Sequence, residues 1–277
     1  MTTSPLVSFS DGNTIPQLGY GVWQVEDDVA EDVVGRAFKA GYRHIDTAKI
    51  YGNEAGVGRA IANSGLDHDD IFITTKLWNA DQGYESTLAA FEESMERLGL
   101  ETLDLYLIHW LQPKQDKYVD TWKALIELQK RGRVKSIGVS NFTVEGLERI
   151  VAETGVTPVI NQVELHPFFN QSELRAYHAE KGIRTEAWSP LGQGGELLQN
   201  ETIKAIADKH GATPAQVVIA WHLAIGNVVI PKSVTESRIV ENYAALDVSL
   251  DAADVEAINA LDNGGRIGAD PAVSDFA

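Results

Sequence analysis

The sequence predicts an α/β fold of one domain, residues 1–277: a (β/α)8 TIM barrel with a short N-terminal hairpin and a C-terminal tail over the active-site face. Three observations carry this. Eight apolar, β-rich runs punctuate the chain, stretches with helical periodicity separate them, and no Pro-, Gly- or Ser-rich linker offers a domain boundary. Strands that are continuously apolar rather than alternating are buried on both faces, as in a parallel sheet covered by helices. A count of eight favours a closed barrel over an open doubly wound sheet, and 277 residues is slightly above the usual length of such a barrel.

The elements follow in order. Leu6 to Ile15 holds two short extended pieces around Asp11-Gly12-Asn13, the signature of a hairpin placed before the barrel to cover its N-terminal end. The eight runs are Gln17 to Val22, Tyr42 to Asp46, Ile71 to Lys76, Leu103 to His109, Val134 to Ser140, Val159 to Glu164, Arg184 to Ser189 and Val228 to Ser233. Between them, sets such as Leu88, Phe91, Met95 and Leu98 fall on one face at spacings of three and four, the period of an amphipathic helix. From Asp262 the chain reads as loop, with Gly264, Gly265, Gly268 and Pro271.

Composition limits the chemistry. There is no cysteine, so disulfides, thiolate nucleophiles and Cys-ligated metals are excluded, which suits a reducing cytoplasm. The net charge of −17 opposes nucleic acid and anionic membrane as partners, because phosphate-binding surfaces carry a surplus of Lys and Arg. No signal peptide or membrane span is expected, since the most apolar segment, Val217 to Ile230, is broken by His222, Gly226 and Asn227. The sequons at Asn141, Asn170 and Asn200 are then not expected to carry glycans.

Active sites of (β/α)8 barrels form at the C-terminal ends of the strands. Here those ends carry Asp46, with Tyr51 in the following loop; Lys76; His109-Trp110; Ser140-Asn141; Asn161-Gln162 with Glu164; Trp188-Ser189; and Lys232-Ser233. Asp46, Tyr51, Lys76 and His109 form a proton-donating set. A free phenol, with a pKa of about 10, is a poor acid at neutral pH, and a nearby ammonium lowers that value. Lys76 supplies the charge, Asp46 compensates it, and His109 can hydrogen-bond a carbonyl oxygen. Singly, each residue has a structural reading, in packing, a surface hydrogen bond or an ion pair. Their arrival on three successive βα units favours chemistry.

Lys232 and Arg238, flanking Ser233 and Val234 after the last strand, are either two solvated cations near a helix start or a phosphate site; should the chain bind a nicotinamide dinucleotide, they suit a 2′-phosphate and favour NADP over NAD. Trp23, Ile50, Trp78, Trp110 and Trp188 are expected to line an apolar pocket with His109. Lys49, if its ammonium reaches that pocket, favours anionic carbonyl substrates. Gly52 to Gly58 has the wrong glycine spacing for a dinucleotide fingerprint, and Glu164 with His166 lacks companion spacing for a metal, so none is expected.

At these motifs the chain resembles the aldo-keto reductase superfamily over nearly its whole length. They are Gly41 to Ala48 (GYRHIDTA) with Tyr51 to Glu54 (YGNE), Thr75 to Trp78 (TKLW), Leu103 to Trp110 (LDLYLIHW), Ile137 to Phe142 (IGVSNF), Asn161 to Pro167 (NQVELHP) and Ile230 to Ser233 (IPKS). It is most similar to the bacterial 2,5-diketo-D-gluconate reductase group. The resemblance implies carbonyl reduction by NADP(H), with Tyr51 as proton donor in a tetrad with Lys76, Asp46 and His109. It implies Ser140, Asn141 and Gln162 on the nicotinamide amide, Trp188 beneath the ring, Ser189 and Leu191 along the cofactor, and Glu241 and Asn242 near the adenine. It also implies a monomer acting on small carbonyl compounds, diketo-sugar acids among them. Two other readings stand against it: an idle NADPH-binding barrel acting as sensor or accessory subunit, and a glycosidase using Asp46 and Glu164, which leaves Tyr51 and Lys76 without a role.

Overall fold

A computed structural model describes residues 2–276, so the first and last residues of the predicted domain lie outside the described residues. The hairpin is present as β1 (Leu6–Ser8) paired antiparallel with β2 (Thr14–Pro16). Then follow β3 (Tyr20–Gly21), α1 (Asp27–Ala40), β4 (His44–Asp46), α2 (Glu54–Asn63), β5 (Phe72–Leu77), α3 (Tyr84–Leu98), β6 (Leu103–Ile108) and α4 (Tyr118–Lys130). The chain continues through β7 (Val134–Ser140), α5 (Val144–Thr154), β8 (Ile160–Glu164), α6 (Ser172–Lys181), β9 (Arg184–Trp188), α7 (Glu201–His210), α8 (Pro214–Ala224), β10 (Val228–Val229), α9 (Glu236–Tyr243) and α10 (Ala252–Asn259).

The eight strands β3 to β10 are hydrogen-bonded in sequence order, all parallel. The ring closes through a parallel bridge between Leu18 and Val229, with Gly19 N donating to Val229 O at 2.9 Å and Val229 N to Gln17 O at 2.8 Å. The first and last strands are shorter than their apolar runs. Pro231 has no N–H for the ladder, so β10 stops at Val229. Gly19 lies where a Cβ would sit 2.3 Å from His44 Nδ1, inside the barrel, so only glycine lets the chain pass the imidazole. Between β9 and β10 the chain forms two helices rather than one. The Asn200 side chain caps α7, accepting from Thr202 N, and Thr213 with Gln216 forms a capping box on α8, whose first residue is Pro214.

Two apolar clusters divide the interior. The larger joins the outer faces of the strands to the helices. The smaller sits in the barrel's base, where Phe72, Leu105, Leu107, Ile160 and Val228 meet Phe9 and Ile15 of the hairpin. Burial of those two hairpin side chains contributes roughly 1.5–3 kcal/mol each, and Arg184 Nε fastens the hairpin by donating to Ser8 O at 2.8 Å. The base is therefore filled with apolar side chains and covered by the hairpin. Among the described residues, no helix is long and apolar enough to cross a membrane.

Candidate active site

Asp46 ends β4 and Lys76 lies near the end of β5; both side chains point inward and are 2% and 0% exposed. Lys76 Nζ donates to Asp46 Oδ1 at 2.6 Å and to Thr47 O at 2.9 Å. A single 3-10 turn, Lys49–Tyr51, follows β4 and swings Tyr51 back over the mouth, placing Lys76 Nζ 5.1 Å from the centre of its ring. His109, just beyond β6, lies edge-on to Tyr51 and to Trp78, with ring centres 5.7 and 5.4 Å apart. The four predicted tetrad residues thus come together at one end of the barrel.

Electrostatics refine the expectation for Tyr51. Burial raises the phenol's pKa more than the Lys76 ammonium lowers it, and Asp46 adds to the rise, so the net direction is upward rather than down. Lys76 limits the rise. Lys76 itself is held above the usual lysine value because Asp46 and Tyr51 outweigh the burial that opposes its charge. Burial, and then Lys76, hold His109 well below its ordinary value, so the ring is neutral at pH 7; its Nδ1 is buried without a partner.

The next strand ends form a connected polar network. Ser140 Oγ donates to Gln162 O at 2.8 Å, and Asn141 Nδ2 donates to His109 O at 3.0 Å and Ser140 Oγ at 3.1 Å. Asn141 Oδ1 accepts from Trp188 Nε1 at 2.8 Å, fixing the indole plane. Asn141 and Ser189 have φ of 56° and 49°, left-handed values that side-chain-bearing residues adopt at a cost of order 1–3 kcal/mol, and such strain clusters at ligand sites. Leu191 packs against the helix layer below them.

Gln162 Nε2 donates to Asp46 Oδ2 at 2.8 Å and to Glu186 Oε2 at 2.9 Å. Glu186 is a member of this network that the strand-end pattern does not pick out. It is fully buried, and burial, reinforced by Asp46, pushes its carboxyl up to about 8. The alternation of Arg184, Glu186 and Trp188 along β9 is the sequence signal that places it inside the barrel.

The predicted phosphate group of residues gathers between β10 and α9. Lys232 is partly buried and Arg238 exposed. The acidic residues of α9 are engaged elsewhere, Glu236 with Arg36 at 3.5 Å and Glu241 as acceptor from Thr213 Oγ1 at 2.8 Å. Ser233 O accepts from the Tyr20 hydroxyl, Val234 is exposed, and Asn242 is buried. Glu241 therefore brackets α8 and α9, a structural task that its place in the sequence does not reveal.

At the mouth, Trp23 and Ile50 are exposed at 45% and 47%, while Trp78 and Trp110 are covered by Phe276 of the tail, with ring centres 6.0 and 5.0 Å away. Asn79 Nδ2 holds that residue by donating to Phe276 O at 2.8 Å. The tail is also pinned by Glu164, which accepts from Ile267 N at 2.5 Å, Gly268 N at 2.7 Å and His166 Nε2 at 3.1 Å. Glu164 is thus a clasp for the tail. The pocket expectation for Lys49 is corrected: its ammonium is paired with Asp81 and Glu93, each at 2.9 Å, and offers no free charge to an anionic substrate.

A model of the Aldo/keto reductase family matches residues 16–263. An aldo-keto reductase of Mycolicibacterium smegmatis is 55% identical, with 99% of each chain covered. Methylglyoxal reductase DkgA of Escherichia coli is 50% identical, with 98% of each covered. Among solved structures, an aldo/keto reductase from Brucella melitensis superposes with a TM-score of 0.92 at 58% identity, covering 95% of this chain and 99% of that one. A Gox0644 mutant in complex with NADPH gives 0.95 at 54% identity, covering 99% and 100%.

Proposed function

The chain belongs to the aldo/keto reductase family, and from that premise we propose that it reduces aldehydes and ketones to alcohols with NADPH, Tyr51 supplying the proton. The observation that carries this reading is the Lys76 ammonium set between Asp46 and the Tyr51 ring at the barrel mouth.

The residues present fit the cofactor. His109 Nδ1 is an orphaned buried atom, Gln162 Oε1 accepts nothing within the described residues, and Lys232 and Arg238 stand clear of the acids of α9. Gln162, Ser140 and Asn141 would hold the nicotinamide amide, Trp188 would lie beneath the ring, and Ser189 and Leu191 would follow the pyrophosphate. Lys232, Ser233, Val234 and Arg238 would take the 2′-phosphate, with Glu241 and Asn242 toward the adenine. Bound NADPH supplies the hydride that reduces the carbonyl carbon.

The chain's own part is proton transfer and exclusion of water. Tyr51 gives its hydroxyl proton to the alkoxide oxygen as charge develops there, and Lys76 stabilises the phenolate left behind. Asp46 keeps Lys76 in place and balances it. Neutral His109 donates a hydrogen bond to the same oxygen, while Trp78, Trp110 and Phe276 keep the reacting centre dry. Methylglyoxal, from the name of DkgA, and 2,5-diketo-D-gluconate, from the resemblance of the motifs, are the first substrates to try. Loss of NADPH absorbance on adding either one, with Tyr51→Phe slowing it by about 10²–10⁴-fold while NADPH still quenches tryptophan fluorescence, is the expected result. Tight NADPH binding with no turnover on any carbonyl would instead support the sensor reading.

A further inference from the structure

We propose that Glu186 is a positioning residue for the cofactor: with Asp46 it takes both N–H groups of the Gln162 side chain, so that only the Gln162 carbonyl oxygen is left to face the nicotinamide amide. The inference rests on the NADPH reading above and deepens it.

The geometry gives Gln162 one arrangement. A primary amide has two N–H donors on one nitrogen, and here they meet Asp46 Oδ2 at 2.8 Å and Glu186 Oε2 at 2.9 Å. Turning the amide over would set its oxygen against the Asp46 carboxylate. One acceptor would leave the amide free to pivot; two on different strands, β4 and β9, fix its plane. Backbone pairing sets the spacing, because Gln162 and Glu186 are directly opposite in the β8–β9 register. The carbonyl oxygen makes no hydrogen bond within the described residues, so it is the free acceptor, and the donor it suits is an N–H such as the nicotinamide carboxamide carries.

Glu186 is an expensive choice for this task if packing were all it did. A buried carboxyl is costly, and a Leu or Val would fill the space with less penalty. The groups that face it are His44 and Asp46 from β4, Lys76 from β5 and Gln162 from β8, while β10 places the apolar Val228 opposite it in register. The ammonium among them, Lys76, is already paired with Asp46. His44, 3.7 Å from Glu186 Oε1, is neutral because burial lowers its pKa to about 3. The Glu186 carboxyl therefore holds its proton at pH 7. Ionising it as pH passes about 8 puts an uncompensated charge under Lys76 and raises Tyr51 further, which slows proton donation.

The test compares wild type, Glu186→Leu and Glu186→Gln. Two ligands are titrated by fluorescence quenching: NADPH, and 2′-phospho-ADP-ribose, which lacks the nicotinamide. Glu186→Leu is expected to weaken NADPH about tenfold, one hydrogen bond's worth, and the truncated ligand less than about twofold. Glu186→Gln, whose carbonyl can still accept from Gln162, restores NADPH to within about twofold. The fall in kcat expected of the wild type as pH passes about 8 should also be absent from this variant. Equal weakening of both ligands, or no weakening of either, would overturn the proposal, and an alkaline fall that persists in Glu186→Gln would show that it comes from another group. Should Glu186→Leu fail to fold, Glu186→Ala is titrated with the same two ligands in its place and judged by the same outcomes. A wild type that turns over no carbonyl with NADPH would sink the functional reading instead, whereas an active wild type matched by Glu186→Leu in both titrations sinks only the role of Glu186.

Discussion

Replacing Lys76 with Met separates what its charge does for the fold from what it does for the reaction. Lys76 and Asp46 are 0% and 2% exposed and 2.6 Å apart, and Met fills most of the same volume, so the loss is electrostatic rather than a cavity. Removing one partner of a buried pair costs about 3–5 kcal/mol, because the other charge stays behind in a poor solvent. In a domain of this size each kcal/mol shifts Tm by roughly 2–4 °C, so a fall on the order of 10 °C is expected. Asp46 keeps one donor, Gln162, which places the cost toward the lower end of that range. The folded pKa of Lys76 is raised above 10.5. Its contribution is then fully present below the unfolded value and lost only as pH rises through the folded one, so the gap to wild type is flat from about pH 6 to about pH 7, below the titration of Glu186, whose carboxylate Lys76 also favours. Adding Asp46→Leu to Lys76→Met removes the stranded charge and should recover at least half the loss, while turnover stays abolished. Urea unfolding and NADPH oxidation are measured on the same three proteins. A single-variant cost under about 1 kcal/mol, or a double variant whose cost is the sum of the two, would refute the ion-pair account. A double variant that regained activity would show that Tyr51 needs no ammonium.

Two further outcomes follow from the charges. Replacing Lys232 and Arg238 with Ala should weaken NADPH by about 10–100-fold for each charge-assisted hydrogen bond removed and NADH by less than about threefold, measured by fluorescence titration; equal weakening of the two would mean the phosphate group lies elsewhere. Glu186→Gln should gain stability over wild type as pH rises. The folded carboxyl's pKa is raised from 4.5 to about 8, so wild type loses stability between those values at ~1.4 kcal/mol per pH unit. The gap in urea midpoint is smallest near pH 4 and levels off above pH 8, and a gap that does not change with pH would contradict a buried protonated Glu186.

The strand pattern is legible because a barrel strand buries both faces, and a continuous apolar run needs no partner to be recognised. Where backbone chemistry cuts pairing short, at Pro231, the apolar run outlasts the strand. Helix α7 leaves a local signal, Asn200 as cap with Ile203, Ile206 and Ala207 on one buried face, but a long connection between two strands does not say how many helices it holds. The tetrad is legible because strand ends converge in this topology, so spacing along the chain translates into proximity. The direction of the Tyr51 shift is not, since a sequence displays the charge of Lys76 but not the burial that outweighs it. The pocket reading of Lys49 fails for a related reason: Asp81 and Glu93, which hold its ammonium, lie 32 and 44 residues away on the next βα unit. Phe276 reaches the mouth only through tail interactions that no local pattern encodes.

The site's proton inventory bears on the direction of the reaction. At pH 7 Tyr51 keeps its phenolic proton because burial exceeds the pull of Lys76, Lys76 keeps its ammonium proton because Asp46 and Tyr51 exceed the effect of burial, and Glu186 keeps its carboxyl proton. His109 and His44 are neutral. The cluster thus begins proton-loaded, with one ion pair and no net charge. Carbonyl reduction needs a donor that is protonated at rest and whose conjugate base is stabilised once charge develops, and these are the separate contributions of burial and of Lys76. Alcohol oxidation needs the phenolate first, which burial and Asp46 both oppose. The geometry that delays ionisation of Tyr51 therefore keeps it proton-loaded for reduction near neutral pH, and Glu186, as it ionises at higher pH, both weakens Tyr51 as a donor and opposes the phenolate that the reverse reaction needs.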